Sequence, residues 1–102
     1  MNTYPDNWKQ IAFYVKTTWG WICERCGHRH EPPTGYCLTV HHLVPDKSLC
    51  ELWNLACLCQ RCHLSIQARV NMFQEMLPGM VVSEWFIPHL VGFREWQERT
   101  AA

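Results

Sequence analysis

A chain of 102 residues with a formal net charge of zero and 48% apolar residues has the composition of one small globular unit. It is too apolar to be disordered and has no apolar run long enough to cross a bilayer. The zero charge removes any strong whole-molecule attraction to nucleic acid, so such contacts must rest on local basic groups and bound metal.

In chain order, 5–18 is predicted to be a helix. Asp6 or Asn7 can cap its first turn, and Gly20 supplies a stop. Trp8, Ile11, Ala12, Val15 and Trp19 recur at helical spacing and form its core-facing stripe. The segment Cys26-Gly27 has the form of a zinc knuckle. The loop from Gly27 to Gly35 carries His28, Arg29, His30 and the Pro32-Pro33 pair, with both histidines expected at the surface, within reach of phosphate. Tyr36 to Leu43 alternates bulky and polar residues and reads as a strand, Pro45 to Ser48 as a turn, and Leu49 to Leu58 as a short turn followed by a second strand.

A helix is expected from near Gln60 to about Met76, with Ile66, Val70, Phe73 and Leu77 on one face and Pro78-Gly79 ending it. Pro88 argues against a helix capped by Ser83. A start at Ile87 or Pro88, with Leu90, Val91, Phe93 and Trp96 following, avoids losing an internal hydrogen bond. Trp85, Phe86 and Ile87 need cover, most simply from the first helix, and His89 is expected merely to pack there. If that segment stays uncovered, it is a surface for a protein partner or a second copy of the chain.

Seven cysteines are an odd number, and the N-terminal stretch Met1-Asn2-Thr3-Tyr4-Pro5-Asp6 has neither a charged n-region nor an apolar h-region. A disulfide framework is therefore the weaker reading, and thiols in a reducing cytosol the stronger. Cys23-Glu24-Arg25-Cys26 and Cys59-Gln60-Arg61-Cys62 are paired Cys-x-x-Cys units, the spacing of a structural zinc site. Four thiolates and one dication sum to about two negative charges, which does nothing to attract DNA. Cys37, Cys50 and Cys57 are left over and expected to serve as small buried hydrophobes.

The interval between the two pairs carries a second set of residues that the thiolates do not use: His41, His42, Asn54 and, directly after the last cysteine, His63. On an ideal strand the adjacent histidines face opposite ways, although a bulge can bring both to one site. Val40-His41-His42-Leu43, Asn54-Leu55 and Cys59-x-x-Cys62-His63, after a leading Cys23-x-x-Cys26-Gly27, together resemble the HNH endonuclease family over roughly residues 19–70. The general look is similar to small phage and prophage proteins of that family, in the cytoplasm of a bacterial host.

The resemblance implies an α+β fold in which a ββα-metal finger (21–77) is flanked by an N-terminal helix (1–20) and a C-terminal helical extension (78–102), all within one domain. It implies His42 as general base, Asn54 as the residue that holds the finger loop and orients that base, and His41 and His63 as ligands of a catalytic divalent ion. The implied products carry 5′-phosphate and 3′-hydroxyl ends. The family more often has Asp where His41 stands. Two imidazoles without a carboxylate suit Zn²⁺, Ni²⁺ or Mn²⁺ better than Mg²⁺. Arg61 and Arg69, on the helix after the second cysteine pair, are candidate phosphate contacts. The alternative is a finger that has kept the zinc scaffold but binds DNA or protein without cutting.

Overall fold

The computed structural model describes residues 3–66, 72 and 82–101. Over these described residues it is a small α+β structure of three helices and one two-stranded antiparallel sheet. Helix α1 is Trp8–Thr18, strands β1 and β2 are Leu38–His42 and Leu55–Cys59, and helices α2 and α3 are Gln60–Ile66 and Ile87–Ala101. No described helix is long and apolar enough to cross a membrane.

Helix α1 starts three residues later than the pattern suggests. Asn7 holds the N-cap position but makes no side-chain cap. Its stripe is as expected at the centre, where Val15 is buried and Trp8 and Ile11 pack against the core, but Trp19, expected on the same stripe, is exposed. Gly20 ends it at φ +66°, and Trp21 follows at φ +60°. A left-handed conformation costs a residue with a Cβ about 1–2 kcal/mol. The Trp21 ring is held against Phe13 at 5.5 Å and His30 at 5.4 Å. Its amide donates back to the Lys16 carbonyl at 2.9 Å.

The strands pair in unbroken register from Leu38 opposite Cys59 to His42 opposite Leu55. All five residues of β2 are buried. Successive strand side chains point to opposite faces, so both faces of β2 are covered; α1 and α2 both pack on the sheet. Between the strands, the Asp46 carboxylate accepts from the Ser48 amide at 3.0 Å and hydroxyl at 2.6 Å. This closes the expected turn. A 3₁₀ turn at Leu52–Asn54 then leads into β2.

Helix α2 follows β2 without a break and buries Cys62 and Ile66. Its expected continuation to Met76, including Arg69, Val70, Phe73 and Leu77, lies outside the described residues apart from the buried Met72. Helix α3 begins at Ile87, where Pro88 falls in the first turn and its missing N–H removes no internal hydrogen bond. Its main support is the 3₁₀ turn at 52–54. Trp53 meets Phe93 at 5.5 Å and Trp96 at 5.4 Å between ring centroids. Helix and turn are so close that a Cβ on Gly92 would lie 2.2 Å from that of Trp53.

Candidate functional site

The two Cys-x-x-Cys units arrive from separate parts of the fold. Cys23 and Cys26 sit in a turn that Gly27, at φ +79°, completes. The Cys23 amide donates to the His28 carbonyl and the Gly27 amide to the Cys23 carbonyl, both at 2.9 Å. Cys59 ends β2 and Cys62 lies in the first turn of α2, where its amide points at the Cys59 sulfur at 3.4 Å.

The four Sγ atoms lie within 4.8 Å of one another. Sulfurs about 2.3 Å from a tetrahedral zinc stand about 3.8 Å apart, and Cys26 and Cys59 are separated by 3.8 Å. The electrostatics also fit a cation. Burial opposes ionisation of Cys23, but the backbone N–H groups of Cys26, Cys59 and Arg25 outweigh it and bring its pKa from 9.0 down to about 7. Burial, together with the neighbouring thiols, then pushes Cys62 up to about 12 against the help of Arg25. Several thiolates can share this space only around a positive ion. Arg25 donates to the Cys62 sulfur at 3.4 Å and offsets part of the excess negative charge. The cluster is a four-cysteine site that fits a structural metal such as zinc.

The histidine set is built from β1 and the start of α2. His41 and His63 come together with ring centroids 4.7 Å apart. Burial, and then the proximity of His63 and His42, brings the His41 pKa from 6.5 to about 4, so the ring stays neutral with its lone pair available. Neither ring has a hydrogen-bond partner among the described residues.

There is no bulge in β1 to turn His42 to the same side. Its ring packs instead against Trp8 at 5.0 Å and Tyr4 at 5.8 Å, themselves stacked at 4.9 Å. Only 8% of His42 is exposed. Burial lowers its pKa, partly offset by a hydrogen bond to the Lys47 carbonyl and by the Asp46 charge. The same carbonyl accepts from the Cys50 thiol at 3.3 Å, and Cys50 Sγ lies 3.6 Å from His42 Nε2.

Asn54 is wholly buried and clamps the loop that carries Lys47. Its Oδ1 accepts from the Val44 amide at 2.6 Å, and its Nδ2 donates to the Val44 and Leu49 carbonyls at 3.2 and 2.9 Å.

Of the candidate phosphate contacts, Arg61 is exposed but engaged: it donates to the Thr34 carbonyl at 3.2 Å and lies over the Tyr36 ring at 4.8 Å. Arg69 lies outside the described residues. His28 and His30, expected at the surface, are half-buried. His28 stacks on Tyr36 at 3.5 Å, and His30 Nδ1 accepts from the Leu38 amide at 3.0 Å. Cys57 is an inert buried thiol, pushed up to about 12 by burial and Glu24, whereas Cys37 and Cys50 are half-buried.

Sequence reasoning missed two groups. One is the Tyr4–Trp8 cover over His42, legible only as two aromatics one helical turn apart. The other is the pairing of Glu24 with His89, two residues 65 positions apart that no local pattern connects. His89 does more than pack. No protein-family model, curated protein or solved structure matches the chain.

Proposed function

We propose that this chain is a metal-dependent endonuclease of the HNH kind, hydrolysing DNA phosphodiester bonds on a finger held in shape by the four-cysteine site. The observation that carries this reading is the meeting of His41 and His63 at the junction of strand and helix. In this role His41 and His63 hold a divalent ion, Mn²⁺, Ni²⁺, Zn²⁺ or Mg²⁺. Such an ion supplies Lewis-acid stabilisation of the charge on the leaving oxygen.

The remaining work falls to the chain's own groups. In this reading His42 is the base that takes a proton from the attacking water, and because its ring lies on the face of β1 away from His41 and His63, the Tyr4–Trp8 cover must open for it to act. Burial keeps the ring neutral near pH 7. Asn54 acts through the loop: by fixing Val44 and Leu49 it fixes the Lys47 carbonyl, and through it the base.

The enclosure of His42 by Tyr4 and Trp8 favours a second reading, a finger that binds DNA or protein without cutting. Plasmid cleavage with added Mn²⁺ or Ni²⁺ decides between them. The nuclease reading expects wild type to cut and His42→Ala to be inert, with fold and zinc content unchanged. Equal inertness of both proteins across metals assigns the chain to the binding role.

A further inference from the structure

Among the described residues, the one buried ion pair is Glu24 with His89, and the proposed chemistry does not use it. The Glu24 side chain is wholly enclosed, and that of His89 is 5% exposed. Glu24 stands inside the knuckle, between Cys23 and Cys26. Its amide donates to the Cys57 carbonyl at 3.0 Å. One carboxylate oxygen accepts from the Cys57 amide at 2.9 Å, and the other meets His89 Nε2. His89 Nδ1 lies 2.6 Å from the Trp53 carbonyl.

A carbonyl and a carboxylate only accept, so both ring nitrogens carry protons and the ring is an imidazolium. Burial alone would lower the His89 pKa, but Glu24 and the Trp53 carbonyl outweigh it and raise it. A single knuckle residue thus grips β2 by two hydrogen bonds and the C-terminal helix by a charge pair.

We propose that Glu24 and His89 form a latch through which the metal state of the four-cysteine site governs docking of helix α3. The closed knuckle seats the carboxylate that holds the helix; an opened knuckle withdraws it. A buried charge that loses its partner is strongly unfavourable, and the Trp85 and Phe86 rings pack 5.9 and 6.2 Å from His89. When the latch opens, α3 lifts from Trp53, uncovering Phe93 and Trp96. Coupling is reciprocal, so docking through His89 tightens metal binding by the factor by which metal favours docking. The inference rests on the metal site and α3 alone, and is independent of whether the chain cuts DNA.

The test uses the full chain loaded with zinc, as wild type, Glu24→Gln, His89→Leu and the double variant. It reads zinc release to excess chelator and hydrogen exchange of α3 amides. Coupling between two sites typically changes affinity about 5–150-fold, so each single variant is expected to release zinc about tenfold faster. The double variant should be no faster than the singles. Protection should fall in α3 and persist in α1. Release at the wild-type rate in either single variant, or independent multiplicative effects in the double, overturns the latch. Because a variant can fail to load, a second measurement titrates metal-free wild type with Co²⁺. Protection of α3 should rise together with thiolate–cobalt absorbance, and protection already complete without metal overturns the proposal.

Discussion

Asn54→Ala tests the clamp on which orientation of His42 depends. Truncation removes three hydrogen bonds at a fully buried position. It leaves the Val44 amide without its acceptor, at a cost of about 1–3 kcal/mol, and deprives two carbonyls of bonds worth about 1 kcal/mol each. The sum is roughly 3–5 kcal/mol, a large part of the 5–15 kcal/mol typical of a domain. Asn54→Asp is not expected to rescue it, since a carboxylate accepts from the Val44 amide but faces two carbonyls with lone pairs. Urea unfolding with zinc in excess measures the loss. Zinc content should be unchanged, because Asn54 touches no ligand cysteine, while metal-dependent cleavage falls as the Lys47 carbonyl loses its support. A stability loss below about 1 kcal/mol refutes the clamp.

Three further outcomes are expected. In Gly92→Ala the new methyl meets Trp53 Cβ at 2.2 Å. Overpacking of about 1–3 kcal/mol exceeds the gain of up to about 1 kcal/mol in helix propensity, so Tm should fall; an unchanged or higher Tm contradicts the close approach. The folded-state pKa of His89 is raised, so its contribution is complete below its ordinary value of about 6.5 and is lost as pH rises through the folded value. The stability difference between wild type and His89→Leu should therefore shrink on going alkaline, and a constant difference contradicts the imidazolium assignment. Cys59→Ala should lose zinc and unfold the finger, because metal binding is part of its folding free energy; a folded variant with stoichiometric zinc refutes that.

Local chemistry was the legible part of this fold. Cys-x-x-Cys spacing marks a metal turn whatever surrounds it, and the four sulfurs converge. The turn at Asp46 and the start of α3 at Ile87 likewise follow from short-range rules. Contacts chosen by tertiary packing were not legible. Asn7 sits where a cap belongs but makes none. The aromatic face of α3 meets the turn at Trp53, a partner that no helical spacing names. Helical spacing says that Trp8 faces inward, but not that its neighbour is His42. Glu24 reads as an ordinary charge until the fold brings His89 to it.

The two hydrogen bonds between Glu24 and Cys57 have one more consequence. Leu55-Ala56-Cys57-Leu58-Cys59 is uncharged and apolar, the kind of strand that recruits a copy of itself when its outer rim is bare. By engaging both polar backbone groups of Cys57, Glu24 takes the place another chain would occupy. Stripping the metal therefore loosens a guard against self-association, and the demetallated chain is expected to precipitate as stacked strands instead of persisting as a soluble coil.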